Sequence, residues 1–338
     1  MSTGTIVGLD IGYGQTKVVW SDHTSRGPNQ GIYPSGAAPV ALADRVGFGG
    51  DGEAGLAGGA VEVQVEGQRY AALVEPMSLR HGMSTLHANY TSTPEYTALY
   101  YGALTKVGSE RIKHLVTGLP VSFFKDRDKV LEVKQRLSGR HEISRGRFVH
   151  VDMVSILPQG YGAWAWAVDH LPAGHTNEDV LLVIDFGHFS VDWICIVHNN
   201  FRLESSGSSI RGGSLVLDEV TRIIEARTKV KVGREVLFAA IRKAGQGPAL
   251  VKAGRETIDI NPLIREVSER SAPAVVGEIK ASMRDQQMEV SRVMVCGGSA
   301  GFFIDAVREA FDKADIEPVH QTVLANAHGH RLYGVKFA

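Results

Sequence analysis

Two stretches of the sequence place an aspartate at the end of an apolar run and follow it with glycine. Gly8-Leu9-Asp10-Ile11-Gly12-Tyr13-Gly14-Gln15-Thr16-Lys17 and Val183-Ile184-Asp185-Phe186-Gly187-His188-Phe189-Ser190-Val191-Asp192 share one pattern: apolar strand, Asp, apolar residue, Gly, polar turn, second apolar strand. An aspartate at the end of a buried strand is costly unless its charge is paired or used. Two such carboxylates can hold a hydrated Mg²⁺, which keeps several waters and takes only one or two carboxylates besides phosphate oxygens. The glycines after each aspartate let backbone N–H groups approach a phosphate. Gln15, Thr16 and Lys17 add side-chain donors, with Lys17 as the counter-charge for terminal phosphates. A single Asp-x-Gly is equally well a tight hairpin turn. Two in register, about half the chain apart, point to a duplicated domain that opens each half with such a hairpin.

Two further elements extend this chemistry. Val293-Met294-Val295-Cys296 runs into Gly297-Gly298-Ser299, a strand that meets glycines and then a helix; backbone there comes close to a flat or anionic group and suits an adenine or ribose shelf. In Leu157-Pro158-Gln159-Gly160-Tyr161-Gly162-Ala163 the proline ends a strand and small residues open a helix. Gln159 at that junction is either a water-orienting amide or a plain polar residue at a helix start. His188 in the second turn is a phosphate donor or a turn residue, the turn reading being preferred. No G-x-x-x-x-G-K-[ST] loop is present. The glycines at 47, 49, 50, 52 and 55 satisfy a dinucleotide pattern, but in a glycine-saturated stretch without a strand–turn–helix context, so they are read as loop. The 13 histidines and two cysteines form no zinc motif.

The elements that must position these residues are legible from periodicity. Thr5 to Leu9 and Thr16 to Trp20 read as strands around the Gly12-Tyr13-Gly14 turn. Residues 44–60 read as a long loop, and Val61 to Val65 with Gln68 to Val74 as a hairpin across Glu66-Gly67. Pro94 to Val107 and Lys125 to Leu137 read as helices, with a strand from His114 to Gly118 between them. Phe148 to Leu157 reads as one strand, followed by a small-residue helix. Asp179 to His198 is strand–turn–strand. Ser214 to Arg227, Arg234 to Ala244 and Ile264 to Arg284 are helical, and Ser291 to Val295 is a strand that leads to a helix reaching about Ala314. At 338 residues the chain fits about two domains. Lys and Arg number 36 against 37 Asp and Glu, a net charge of −1, which argues against direct coating of nucleic acid. No apolar run approaches the roughly 18 residues of a membrane span. The N-terminal residues lack a signal-peptide pattern, and Cys195 and Cys296 sit in apolar runs, so a reducing, cytoplasmic setting is expected.

Taken together and in this order, these elements resemble the actin-like ATPase superfamily, and within it the ParM/StbA branch of plasmid-segregation actins with its archaeal relatives. Gly8 to Gly14 resembles its first phosphate loop, and Val183 to Gly187 with Asp192 the second. Pro158 to Ala163 resembles the first connecting segment, Val295 to Ser299 the adenosine loop, Ala325-Asn326-Ala327-His328-Gly329 the closing helix, and Thr117-Gly118-Leu119-Pro120 a first-domain strand end. The resemblance implies an α/β, duplicated RNase-H-like (actin/hexokinase/chaperone ATPase) fold with two domains around a nucleotide cleft. The domains expected are 1–157, with 35–95 as a smaller subdomain, and 158–338, with 215–290 as a helical subdomain.

The resemblance also implies roles. Asp10 and Asp185 would hold Mg²⁺, mainly through water, with Asp185 and Gln159 organising the attacking water. Gly12, Tyr13, Gly14, Gln15, Thr16 and Lys17 would cradle phosphate, with Gly187 and His188 completing the second loop. Gly212, Gly213, Lys231 and Glu235 would approach the ribose, and Gly297, Gly298 and Ser299 would line the adenosine pocket. The implied cofactors are ATP, with GTP left open, and Mg²⁺. The implied partners are other copies of the chain in a filament and a DNA-binding adaptor, with no direct nucleic-acid contact and no membrane. The stretch 47–59 and the hairpin 61–74 fall where such proteins place a subunit-contact loop. Two departures stand out: a second loop that usually reads Gly-Gly-Thr-Thr is Gly187-His188-Phe189-Ser190, which displaces a hydroxyl donor and adds bulk, and where some relatives carry a glutamate before the first connecting helix the candidates for positioning the water are Gln159 and Ser155. The competing reading is a small-molecule (sugar or acid) kinase of the same superfamily, for which no acceptor-loop signature follows Leu119-Pro120.

Overall fold

The computed structural model describes residues 4–21, 27–43, 45–46, 55–56, 59–79, 89–169, 180–284 and 289–338. The chain divides into two compact units, Met1–Leu171 with Val323–Ala338, and Pro172–Thr322.

The first unit is built on a seven-stranded mixed sheet. Its order is Gly139–Ser144, Arg147–Val151, Arg111–Leu119, Thr5–Ile11, Gln15–Ser21 and Asn29–Pro34, with Val154–Pro158 also paired to Arg111–Leu119. Thr5–Ile11 runs antiparallel to Gln15–Ser21 and parallel to Arg111–Leu119. Two-sided burial of Leu9, Val18, Ile112, Leu115 and Val116 explains why these strands read as continuous apolar runs. A smaller sheet pairs Gly36–Pro39, Gln68–Val74 and Val61–Val65. Its hairpin turns at Glu66 and Gly67, both with positive φ (50° and 82°), the primed geometry that matches strand twist. Helix Pro94–Val107 starts on the Thr93 hydroxyl, which accepts the Tyr96 N–H, and stops at Gly108 in the left-handed region.

The second unit carries a five-stranded sheet in the order Asn200–Ser209, Val191–Val197, Val180–Phe186, Arg292–Cys296 and Asp315–Pro318. Helices Gly213–Thr228, Arg234–Ala244 and Asn261–Arg284 contribute to its apolar core through Leu217, Ile224, Leu237, Val276 and Ile279. The two hairpins therefore recur as the same unit, a central strand with an antiparallel return, one in each sheet. Both cysteines are buried, as their apolar runs suggest, and neither forms a disulfide.

Several expectations differ in detail. Phe148 to Leu157 is two strands, Arg147–Val151 and Val154–Pro158; the chain breaks at Asp152, whose carboxylate turns out to Arg111 (Nε–Oδ2 3.0 Å). The helix after Gly297-Gly298 is a 3-10 turn, Ala300–Phe302, and then a short helix, Ile304–Ala310. Gly139–Ser144 and Asn200–Ser209 are strands with too many polar residues to stand out by alternation. Within the glycine-rich stretch, Arg45–Val46 pairs with Gly55–Leu56, while 47–54 and 57–58 lie outside the described residues.

The unit boundary also differs from the division at residue 158. Helix Tyr161–Val168 and the C-terminal helix Ala325–Phe337 both belong to the first unit, not the second. The reason is backbone proximity. A β-carbon on Gly8 would run into the Ala327 carbonyl, and one on Gly329 into the Gly162 backbone. Only glycine lets the final helix lie on the first strand and on helix Tyr161–Val168.

This packing has a direct consequence for stability. Gly329→Ala is expected to destabilise the first unit by about 1–3 kcal/mol, or more, through overpacking. Gly277→Ala has the opposite sign: the position is exposed in Asn261–Arg284 with nothing within 4 Å of the new carbon, and a gain of roughly 0.5–1 kcal/mol follows. Thermal unfolding followed by circular dichroism checks both signs.

Candidate functional site

In the first unit, Asp10 and Lys17 are direct cross-strand partners. Lys17 Nζ lies 2.9 Å from Asp10 Oδ2, and the side chains are 13% and 5% exposed. The Gly12 N–H donates to the Gln15 carbonyl at 3.0 Å and closes the turn. Gln159 Nε2 donates to Asp10 Oδ1 at 3.3 Å from across the sheet. Its own N–H is anchored on the Leu119 carbonyl at 2.7 Å. Asn326 Oδ1 accepts from the Gly160 and Ala163 N–H groups at 3.2 and 3.1 Å, and so caps the helix that Gln159 precedes. His330, fully buried, holds the Leu9 carbonyl through Nδ1 at 2.9 Å. Burial alone would raise the Asp10 carboxyl. The charge and hydrogen bond of Lys17, with the Gln159 hydrogen bond behind them, outweigh burial and hold it below the usual carboxylate range.

The other turn residues are placed unequally. Thr16 points to the opposite face from Lys17, as strand alternation demands; it is fully buried, 2.9 Å from Ser35 Oγ. Tyr13 stacks on Tyr90, ring centroids 4.4 Å apart. Ser155 Oγ is 2.9 Å from His114 Nε2, so of the two candidates for positioning a water it is Gln159 that reaches Asp10.

In the second unit, Asp185 occupies the place of Asp10, but its cross-strand partner is Asp192. Asp192 is buried and accepts hydrogen bonds from Ser190 Oγ at 2.8 Å and from Ser208 Oγ. The Gly212, Gly213 and Ser214 N–H groups donate to the Phe189, Gly187 and His188 carbonyls at 2.9, 3.1 and 2.7 Å, seating helix Gly213–Thr228 on the second turn. Gly297, at φ 92°, approaches Asp185 so closely that a β-carbon would strike Oδ1 and the Phe186 carbonyl. The Ser299 N–H donates to the Phe186 carbonyl at 2.9 Å, and Gly213 leaves room for the Ser299 hydroxyl. Asp185, Gly187, His188, Gly212, Gly213, Gly297 and Ser299 thus form one cluster, with open space above Gly298. Glu235 lies in the first turn of Arg234–Ala244 and is 3.5 Å from Arg234, which also pairs with Asp218 at 3.1 Å. Lys231 is exposed in the connection before that helix, and no described contact brings it to the cluster. His188 packs on Phe238 (4.7 Å between ring centroids); burial, then the charge of Arg234, lowers its pKa to about 4.

Sequence reasoning misses Arg234, Ser208, Asn326 and His330. Arg234 and Ser208 carry no motif. Asn326 is legible only as part of a closing helix, and the position of His330 depends on where that helix returns.

Among the described residues, no group of three or more His, Cys, Asp or Glu side chains forms a metal cage. A buried carboxylate beside glycine backbone, present once in each unit, is instead the kind of donor that fits a hydrated Mg²⁺ shared with phosphate oxygens. No helix among the described residues is long and apolar enough to cross a membrane.

Residues 8–162 match the family described as Actin like proteins N terminal domain, and residues 183–309 match Archaeal actin homologue MreB-like, C-terminal. The chain belongs to the actin-like proteins. No curated protein matches it. Among solved structures, the archaeal actin homologue Ta0583 in complex with ADP is similar at 18% identity over 98% of this chain and 99% of that one, TM-score 0.69. A ParM filament of 15 strands from Clostridium botulinum is similar at 16% identity over 99% and 100% of the two chains, TM-score 0.74. A non-polymerisable quadruple mutant of pCBH ParM is similar at 17% identity over 98% and 99%, TM-score 0.73. These likenesses establish the actin fold of two α/β domains with mixed sheets.

Two measurements probe the electrostatics. Lys17→Met leaves Asp10 buried without its counter-charge, and a loss of about 3–5 kcal/mol at pH 7 is expected in urea unfolding. The Asp10 carboxyl then rises, so the loss shrinks in acid, towards and below the ordinary pKa of 3.8, and Asp10→Asn in the same background recovers most of it. His188 behaves differently. Its folded pKa lies below its ordinary 6.5, so protonation favours unfolding and stability falls as pH drops from 6.5 to about 4. The slope it adds is at most about 1.4 kcal/mol per pH unit, and His188→Asn flattens that limb.

Proposed function

We propose that this protein is an Mg²⁺-dependent ATPase that polymerises into nucleotide-dependent filaments and acts in the cytoplasm in plasmid DNA segregation, through a DNA-binding adaptor. The observation that carries this reading is the repeated hairpin: a buried aspartate beside a glycine turn, once in each unit, on an actin fold. The ADP complex of an archaeal actin homologue and the ParM filament support nucleotide binding and assembly.

In this reading Asp10 and Asp185 hold the hydrated ion. Bound Mg²⁺ neutralises charge on the β- and γ-phosphates. The turns at 12–14 and 187–190 face the phosphates through backbone N–H groups other than those of Gly12 and Gly187, which close the turns on the Gln15 and Ser190 carbonyls, and Lys17 supplies a positive charge. Gln159 and Asp185 orient the attacking water, Gly212 and Gly213 approach the ribose, and Gly297 to Ser299 form the adenosine shelf. Base contacts through backbone leave GTP open beside ATP. The net charge of −1 suits DNA attachment through an adaptor. Head-to-tail contacts between unlike surfaces give open filaments when the rotation does not close.

The test is right-angle light scattering with parallel pelleting, in Mg²⁺ and ATP, ADP, GTP or a non-hydrolysable ATP analogue. Scattering that rises with ATP and decays as phosphate appears is the expected result. Asp185→Asn should slow phosphate release by roughly 100-fold or more while the protein still pellets with the analogue. Neither scattering nor phosphate release at tens of micromolar protein would overturn the reading, and phosphate transfer only to an added small molecule would make the protein a kinase.

A further inference from the structure

His330 is a buried polar group of the first unit, beside Asp10 and Gln159, that the proposed chemistry leaves unused. Its Nδ1 faces the Leu9 carbonyl at 2.9 Å, and a carbonyl only accepts, so Nδ1 carries the ring proton. Burial lowers the pKa of the ring, which keeps it neutral. Nε2 is then a bare lone pair, completely buried and without a hydrogen-bond partner among the described residues. An orphaned acceptor at that depth costs free energy unless some state of the protein satisfies it.

The group within reach is the Gln159 carboxamide. A β-carbon on Gly118 would stand 2.7 Å from Gln159 Oε1 and 3.3 Å from His330 Nε2, so both atoms border the space beside that glycine. At present the amide gives its N–H to Asp10 and turns its oxygen towards Gly118. That orientation cannot orient a nucleophile, because a water needs an acceptor and the amide oxygen faces the wrong way.

We propose that His330 is a positioning residue for Gln159: Nε2 is the second acceptor onto which the carboxamide turns when Asp10 is engaged, freeing Oε1 to accept from a water. A half-turn about the last side-chain torsion exchanges the amide oxygen and nitrogen. The N–H then meets Nε2 over Gly118, and Oε1 faces the Asp10 side. Asp10 thus holds Gln159 in an idle orientation, and His330 holds it in the working one. This inference rests on the water-orienting role of Gln159 in the proposed function.

Asp10→Asn tests the turn without any nucleotide. Lys17, on Oδ2, demands an oxygen, so the new amide presents its N–H to Gln159 and drives the carboxamide over to His330. In protein labelled with ¹⁵N-histidine, the His330 Nε2 resonance, assigned by its loss in H330F, should read as an unprotonated nitrogen. It should shift on D10N and return towards its original place in D10N/Q159A. A protonated Nε2, or an identical Nε2 signal in D10N and D10N/Q159A, overturns the proposal. In phosphate-release kinetics, H330F and Q159A should each lower kcat about tenfold, the worth of one hydrogen bond, with KM for ATP little changed. The double variant should be no slower than Q159A, and H330Q, which retains an acceptor, should recover most of the rate. Additive losses, or a normal kcat in H330F beside a slow Q159A, sink the inference alone. A normal kcat in Q159A sinks the assigned role of Gln159 and the catalytic use of the turn, while the resonance measurement still decides the turn itself.

Discussion

The carboxylate of Asp10 sits at the end of a strand whose neighbours on both sides are apolar, and almost nothing of it reaches solvent. Burying such a charge without compensation is prohibitive. Lys17, directly opposite in the ladder, supplies the compensation, and Gln159 adds a hydrogen bond from another strand end. That requirement sets the surrounding architecture. The turn between the two strands must be short for residues 10 and 17 to face each other, so it is made by Gly12, Tyr13 and Gly14. The strand that leads into Gln159 must end level with Asp10, and the helix beyond it must be capped by a residue from far away in the chain, Asn326.

The two hairpins have diverged at the position that matters electrostatically. Where the first places Lys17, the second places Asp192. The first hairpin is a compensated pair. The second is a pair of acids, with two serine hydroxyls donating to Asp192. Opposite charges directly across a ladder attract and like charges repel, so the two hairpins differ electrostatically. The second turn carries His188 and Phe189, held by Phe238 and by the N-terminus of helix Gly213–Thr228.

The closing helix links the end of the chain to this chemistry. Its contact with Thr5–Ile11 and with Tyr161–Val168 is backbone on backbone at Gly8, Gly162 and Gly329. That closeness carries Asn326 to the helix cap and His330 to the back of Asp10. Stability and site geometry in the first unit are in this way a single packing problem.

Much of this is written in the sequence. The Asp-x-Gly repeat, the apolar runs that flank it and the hairpin signal at Glu66-Gly67 follow from local preferences: backbone turns, alternation and burial act within a few residues. Helix Pro94–Val107 is legible for the same reason, through its Thr93 cap and Gly108 stop, and Arg234–Ala244 through its period. The tertiary structure alone decides which residues meet. Thr16 and Lys17 are equally polar neighbours in the sequence, and only sheet burial shows that one is core and the other faces Asp10. Ser155 and Gln159 are equivalent candidates until His114 is found holding the serine. The division at residue 158 misses the return of helix Ala325–Phe337 to the first unit, because contacts between residues more than 300 apart leave no local signal. Local sequence specifies elements through short-range sterics and hydration; the site is made by long-range packing, which is a property of the folded chain.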